Sequence, residues 1–261
     1  MNQSSFGNWN QEPFYPMVSY IVPCYNNEPF VKECINSIKA QRTAYPNIEI
    51  IFVDDGSIDG SYEQAKENIS ESDGQVLRLS KNTGVGHALN IGFSLAKGKY
   101  LCFFAADDVL LDPNKTVRQQ NAMEETRCDL SYYLDWYQGE TIETMRMTPS
   151  IWFYRYVPPV DYLLKHYLYM NNAMMYRYLL HNQPINSGSL MITREAYERF
   201  GEWNEQVLTT DYELLIRYCR DGAKFCQIKG APMFYRMHKG QASHRDKEMR
   251  NGEKESRRLN L

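Results

Sequence analysis

Short apolar runs alternate with amphipathic segments over the first half of the chain. Apolar runs rich in β-branched and aromatic residues predict strands at 17–22, 48–53, 76–79 and 100–105. Apolar residues at three- and four-residue steps predict helices at 29–38, 61–69, 86–96 and 112–125. Because the strands are almost continuously apolar, they are typical of a parallel sheet that helices cover on both faces. The predicted fold class is therefore α/β.

Polar residues follow each of these strands. In parallel sheets of this class, ligands bind beyond the carboxyl ends of the strands. The segments at those ends are Tyr25-Asn26-Asn27-Glu28, Asp54-Asp55, Lys81-Asn82 and Asp107-Asp108. Since the topology brings these ends to one edge, together they predict a binding site more strongly than any single motif does.

The pattern changes after residue 130. We predict strands at 130–136, 189–192, 224–228 and 233–237, helices at 194–200 and 211–218, and a polar loop at 137–150. Residues 151–181 are rich in aromatic residues, with helical spacing from 162 to 180. Such a segment suits a packed helical lid, a surface for stacking on sugar rings, or a helix at a membrane interface.

The chain shows no internal repeat and no linker, which predicts one domain over residues 17–240. Its first half spans 17–128 and its second half 129–240, with an aromatic-rich helical insertion at about 137–185. Residues 1–16 are predicted to be a flexible arm. Residues 241–261 are rich in Lys and Arg and are predicted to be a charged flexible tail.

The composition is that of an ordinary globular protein, with 43% hydrophobic and 23% charged residues among 261. It excludes disordered tail proteins and collagens. The formal net charge of −3 indicates no basic domain of the kind that nucleic-acid binders carry, so we expect no nucleic-acid partner.

The sequence also bears on location. The first residues lack the basic start and apolar stretch of a secretory signal, and no apolar run is long enough for a transmembrane helix. The 6 cysteines include no C-x-x-C pair, which favours free thiols in a reducing compartment. We expect a cytoplasmic protein, with peripheral contact at the inner face of a membrane left open.

Asp107 and Asp108 are the first candidates for chemistry. Adjacent carboxylates repel each other unless a cation offsets their charge, and hard oxygen ligands suit Mg²⁺ or Mn²⁺. The alternative is a helix start, since Asp112 precedes Pro113. A second acidic pair at another strand end favours metal or nucleotide binding.

Three further segments are ambiguous taken alone. The glycines within 82–86 either let a phosphate approach a helix N-terminus or belong to a plain turn. Neither the G-x-G-x-x-G pattern nor the P-loop pattern occurs in the chain. Asp211 is typical of a helix cap. His238 is a potential metal ligand beside Arg236 and Lys239, which are able to hold a phosphate, or it belongs to a solvated strand end.

In their order along the chain, these pieces resemble glycosyltransferase family 2, whose members have the GT-A fold. The matching segments of the first half are 18–26, 53–57, 82–84, 98–100 and 106–108. Those of the second half are 186–192, 200–203, 210–214 and 235–238. The resemblance covers roughly residues 17–243 and is weaker between 130 and 185.

The resemblance implies an inverting enzyme that moves a sugar from a nucleotide-diphosphate sugar to a hydroxyl of a glycan or lipid-linked glycan. UDP is the expected nucleotide, and Mn²⁺ or Mg²⁺ the expected cofactor. The first half would bind the nucleotide and the second half the acceptor. A metal ion acts in such a transfer as a Lewis acid on the leaving diphosphate.

Position by position, the resemblance also implies roles for individual residues. Pro23, Tyr25 and Glu28 would line the nucleotide pocket, Asp54 and Asp55 would hold the base, and Asp107 would contact the ribose. Asp108 would be the metal ligand that bridges the diphosphate, and His238 would complete that site. Asp211 would be the general base. Apart from the resemblance, the growing negative charge of the leaving diphosphate requires positive charge, and we expect Lys81, Arg236 or Lys239 to help offset it.

The sequence departs from the family pattern at two positions. Ala105 stands where many relatives have an acid, and Thr210 precedes the proposed base where Glu is frequent. The missing acid keeps open a non-catalytic module that binds a nucleotide sugar or a glycan. A sugar-phosphate nucleotidyltransferase is a further alternative, although its expected Gly-rich signature after the first strand is absent.

Overall fold

The structure is a computed structural model that describes residues 15–133, 135–148, 172–181, 185–241 and 246–261. The predicted arm, except residues 15 and 16, lies outside the described residues, and so does the aromatic-rich segment from 151 to 171. Within the described ranges, no helix combines the length and the apolar character that crossing a bilayer requires.

A mixed sheet forms the centre of the fold. Its strands are β1 Val18–Cys24, β2 Ile48–Asp54, β3 Gly74–Arg78, β4 Tyr100–Phe103, β6 Leu130–Tyr133, β9 Met191–Thr193 and β10 Phe225–Ile228. They form a seven-stranded sheet in the order β10-β6-β9-β4-β1-β2-β3. Only β9 runs antiparallel to its neighbours among these described strands. The mostly parallel sheet that the apolar runs predict is therefore confirmed.

Helices flank this sheet. They are α1 Glu28–Ala40, α2 Ser61–Asn68, α3 Val85–Leu95, α4 Lys115–Thr126, α5 Asn172–Leu179, α6 Arg194–Phe200, α7 Thr210–Arg220 and α8 Asp246–Leu259. In α1 a proline lies in the first turn, where its missing amide costs no hydrogen bond, and Val31, Ile35 and Ile38 bury one face.

The side chains of β1 show why its sequence is apolar throughout. Tyr20 and Val22 pack with α1 in one hydrophobic cluster, whereas Ile21 packs with α3 in the other. A Cβ at Gly92 of α3 would lie 2.4 Å from Ile21 Cγ2, so glycine permits the close approach of helix and strand. Both faces of the sheet are thus buried, as the predicted architecture requires.

A second sheet was not predicted. It has four strands in the order β5-β11-β7-β8, which are β5 Val109–Leu110, β11 Met233–Arg236, β7 Trp136–Gly139 and β8 Arg146–Thr148. The expected single strand at 130–136 is wrong because β6 and β7 belong to different sheets. The expected polar loop at 137–150 is wrong because it contains β8 and most of β7. An apolar run does not distinguish one long strand from two short ones, and half-buried polar strands carry little signal.

The predicted charged tail is also corrected. Residues 246–259 form α8, which packs on α7 and buries Ser256. The tail looked flexible because it has few apolar residues, but its buried face is built from glycine and small polar side chains. All six cysteines are free thiols, and all but Cys226 are buried.

Candidate active site

A cleft of about 770 Å³ opens at the carboxyl ends of β1 and β4. Most of the side chains that the sequence analysis proposed for the site line it: Pro23, Tyr25, Asp55, Asp107, Asp108, Asp211 and His238. The wall also includes residues from both sheets and from α3, α7 and α8. The strand ends therefore converge as predicted, and residues from the second half of the chain form the rest of the cleft wall.

Pairing of β5 with β11 brings the acidic pair to the histidine. Phe234 lies opposite Val109, so the segment after β11 runs back beside Asp107 and Asp108. His238 Nε2 lies 2.9 Å from Asp107 Oδ2. Asp108 Oδ1 accepts a hydrogen bond of 3.1 Å from the backbone amide of Arg236. Two carboxylates and an imidazole thus come together although about 130 residues separate them.

The surroundings of Asp108 disfavour the charged form of its carboxyl group. It is only 2% exposed. Burial raises its pKa well above the ordinary value, and the charge of Asp107 raises it further. A positive charge placed at this carboxylate would relieve both effects.

Arg236 has a different role from the one expected. Its Nε donates to the carbonyl oxygen of Asp107 over 2.9 Å, and Nη2 lies 2.5 Å from Glu33 Oε2. The guanidinium stands over the Phe30 ring at 4.7 Å from its centroid. Arg236 is buried and does not line the cleft, so it holds the Asp107 backbone rather than facing a ligand.

Asp55 fixes the loop that precedes α3. One carboxylate oxygen accepts from the backbone amide of Thr83 and the other from that of Gly84, each over 2.8 Å. Gly84 has a φ of 98°, a conformation that favours glycine. Asp55 therefore both lines the cleft and ties the end of β2 to the glycine loop.

Besides Arg236 and the exposed Lys239, three of the proposed residues do not line the cleft. Asp54 is fully buried behind it, where Ser57 donates a 3.2 Å hydrogen bond and Arg78 approaches at 3.4 Å. Burial raises the pKa of Asp54. Glu28 instead accepts from the amide of Gly60, and Lys81 is exposed. The sequence places all three near strand ends, but it does not show which way each side chain points.

Some cleft residues were missed by sequence reasoning. One of them is Thr210, which lines the cleft next to the predicted residue Asp211 in the first turn of α7. Thr210 Oγ1 and Gln241 Oε1 are buried, with no hydrogen-bond partner in the part of the chain that the structure describes. Met249 of α8 is a further lining residue. No motif points to Gln241 or Met249, because their approach depends on tertiary packing.

The donor chemistry of the site suits a divalent cation. Carboxylate oxygens and imidazole are both ligands for such ions, and the burial of Asp108 beside Asp107 favours a positive charge. No group of three His, Cys, Asp or Glu side chains stands ready to hold a metal in the part of the chain that the structure describes. Ions such as Mg²⁺ commonly bind through one or two carboxylates together with substrate phosphates. The residues therefore fit a cation that is held jointly with a ligand.

The sequence matches a known protein family over more than half of its length. The model of Glycosyl transferase family 2 matches residues 19–201, which is more than half of the chain. The chain belongs to glycosyltransferase family 2. The match includes β1 to β4, the acidic pairs and the glycine loop. Asp211, His238 and helices α7 and α8 follow the matched residues.

Related family 2 sequences include a protein of Rickettsia felis described as an uncharacterized glycosyltransferase. It is 32% identical over 215 residues, which make up 79% of this chain and 32% of that protein. An uncharacterized glycosyltransferase of Bacillus subtilis, EpsJ, is 43% identical over 94 residues, or 36% of this chain and 26% of that protein. The chain thus spans about a third or less of the length of these relatives.

Solved structures share the architecture. The mannosyltransferase PcManGT from Pyrobaculum calidifontis, in complex with GDP-Man and Mn²⁺, gives a TM-score of 0.64 at 16% identity over 90% of this chain and 61% of that one. Residues 1–349 of S. aureus TarS, in complex with UDP-GlcNAc, give 0.65 at 16% identity over 88% of this chain and 61% of that one. This likeness confirms the predicted GT-A fold.

Proposed function

We propose that this protein transfers a sugar from a nucleotide-diphosphate sugar to a hydroxyl acceptor with inversion at the anomeric carbon. One observation supports the proposal above the rest: Asp107, Asp108, His238 and Asp211 line the same cleft, although Asp211 and His238 come from the second half of the chain. Family membership supports the same reaction and argues against a sugar-phosphate nucleotidyltransferase.

The proposed nucleotide site lies at the ends of β1 and β2. Pro23, Tyr25 and Asp55 line it, and Tyr25 is 40% exposed, so part of its aromatic side chain is available to contact a base. Asp107 would contact the ribose. UDP is the proposed nucleotide, and because the structural neighbours bind UDP-GlcNAc or GDP-Man, UDP and GDP sugars both belong in a donor panel.

The proposed metal site is Asp108, with His238 beside it. A bound Mn²⁺ or Mg²⁺ would supply Lewis-acid stabilisation of the charge on the leaving diphosphate. Asp108 presents its carboxylate in a fixed orientation because the Arg236 amide holds Oδ1. The carboxylate of Asp107 bonds to His238 and orients that imidazole.

Asp211 is the proposed general base. A sugar hydroxyl is a weak nucleophile near neutral pH, and a carboxylate within hydrogen-bond reach takes its proton as attack proceeds. General-base catalysis of this kind contributes about 10²–10⁴-fold. Thr210 and Gln241 line the same cleft, and Thr210 Oγ1 and Gln241 Oε1 are buried with no hydrogen-bond partner among the described residues. We assign both side chains to hydroxyls of the bound sugars. The acceptor is a glycan or a lipid-linked glycan.

The test measures nucleoside diphosphate release from UDP- and GDP-sugars with Mn²⁺ and with EDTA. Asp211→Asn should lower the rate by about 10²-fold or more while leaving UDP affinity unchanged. Asp221→Asn is the matched control, since it makes the same chemical change just beyond the other end of α7 at an exposed position.

Two results would count against the proposal. Substantial turnover in Asp211→Asn would remove the base assignment. Binding of a nucleotide sugar without metal-dependent release, with every donor of the panel, would favour the non-catalytic binding module instead.

A further inference from the structure

Helix α8 buries one of its faces against the rest of the protein. Met249, Gly252, Ser256 and Asn260 recur at three- and four-residue steps and therefore share a side of the helix. Gly252, Ser256 and Asn260 are buried, Met249 lines the cleft, and Lys254 on another side is exposed. One end of the buried face thus reaches the cleft while the rest packs on α7.

The contact with α7 is made at the residue before its first turn. Thr209 is the N-cap of α7, a position at which threonine usually bonds to a free amide of its own helix. Here it makes no such bond. Its fully buried Oγ1 lies 3.0 Å from Ser256 Oγ instead. The Thr209 hydroxyl therefore bonds to α8 instead of capping α7.

Gly252 makes this contact tight. A Cβ at that position would lie 3.1 Å from Thr209 Oγ1 and 3.3 Å from the Thr209 backbone nitrogen. Any larger side chain must push against the N-cap. Glycine is unfavourable inside a helix relative to alanine, so close packing gives a reason for its presence here.

Contacts further along keep the two helices in register. Asn260 Nδ2 donates to Glu213 Oε1 over 3.3 Å, and Arg257 Nε donates to the Tyr212 hydroxyl over 3.1 Å. A helix moves largely as a rigid body over one turn. A displacement at residue 209 is therefore passed on to Asp211, two residues later.

We propose that α8 is a positioning element for the proposed base: the contact of Thr209 with Gly252 and Ser256 sets where the Asp211 carboxylate lies in the cleft. The inference rests on the proposed function, in which Asp211 is the general base. Thr209, Gly252 and Ser256 act through Asp211 and touch no substrate. All three lie beyond the residues that the family model matches.

The experiment uses the full chain and a graded set of variants. Thr209→Val removes the hydroxyl at constant shape, Thr209→Ser keeps it, and Gly252→Val adds bulk at the contact. Lys254→Ala is the control on the exposed side of α8. The readouts are kcat for nucleoside diphosphate release from the best UDP- or GDP-sugar with Mn²⁺, and the Kd of the matching nucleoside diphosphate with Mn²⁺.

We expect kcat to fall about tenfold in Thr209→Val and Gly252→Val, with Kd within twofold of the parent protein. Thr209→Ser and Lys254→Ala should stay near the parent value for both. Hydrogen exchange at the amides of residues 211–213 should accelerate in Thr209→Val and not in Thr209→Ser, a readout that needs neither turnover nor acceptor. Should Gly252→Val fail to fold, the two Thr209 variants still decide the matter.

The positioning role is overturned if both disruptive variants keep kcat within twofold, or if kcat and nucleotide affinity fall together. It is also overturned if Thr209→Val causes a further tenfold loss in the Asp211→Asn background, because that effect would not pass through Asp211. Failure of the proposed function looks different: Asp211→Asn itself would then retain turnover.

Discussion

Replacing Arg236 with methionine tests whether its side chain supports the acidic pair. The substitution removes the 2.9 Å hydrogen bond from Nε to the Asp107 carbonyl and the contact with Glu33, but it keeps the backbone amide that binds Asp108. A hydrogen bond to a charged group contributes about 1.5–3 kcal/mol, and a partly desolvated cation–π contact with Phe30 about 0.5–2 kcal/mol. The Glu33 side chain is 45% exposed, so its ion pair adds little.

We therefore expect Arg236→Met to lower the free energy of unfolding by about 2–4 kcal/mol, measured by urea denaturation. Glu33→Gln should lower it by less than about 1 kcal/mol. UDP affinity in the presence of Mn²⁺ should fall in the arginine variant alone, because Asp107 loses its anchor. Equal losses of stability in the two variants would refute this reasoning and assign the stability to the ion pair.

Other positions give equally direct tests. Lys115 is fully buried, its Nζ has no hydrogen-bond partner among the described residues, and burial lowers its pKa. Burial therefore disfavours the charged ammonium in the folded state, so Lys115→Met should raise the urea midpoint at pH 7. This gain should shrink as the pH rises toward the unfolded-state pKa of about 10. A gain that stays constant over this range would show that burial of the charge has no cost. Asp55→Asn should cost about 1–3 kcal/mol in urea unfolding and weaken UDP binding, because an amide NH₂ would face the donors of Thr83 or Gly84. Unchanged UDP affinity in Asp55→Asn would show that the loop held by Asp55 does not contribute to the nucleotide site. Thr210→Val should weaken binding of the UDP-sugar by about fivefold relative to UDP, as titration calorimetry would show, without loss of thermal stability. Equal affinities in parent and variant would remove Thr210 from the sugar site.

The first half of the fold is predictable from sequence because its signals are local. The run from Ile48 to Val53 must be a buried strand, and the spacing of Val31, Ile35 and Ile38 must be one face of a helix. Strand ends of a parallel sheet converge, so Asp55 and Asp107 reach one cleft. These steps require no knowledge of distant contacts.

The remainder depends on contacts between distant segments. The four-stranded sheet exists because β11 pairs with β5 and β7, and neither short partner shows a clear period. α8 looked like a solvated tail because the residues that seat it, Gly252 and Ser256, are not apolar. Arg236 looked like a phosphate ligand because its chemistry allows it, whereas the carboxylate that it pairs with, that of Glu33, lies about 200 residues earlier.

Anomalous diffraction from crystals of the full chain grown with MnCl₂ and UDP tests the central claim most directly. The proposal predicts an anomalous manganese peak at Asp108 that also contacts the diphosphate, with the base near Tyr25 and the Asp211 carboxylate facing the same cleft. Density for UDP outside the cleft, or manganese bound away from Asp108 while UDP is present, would contradict it.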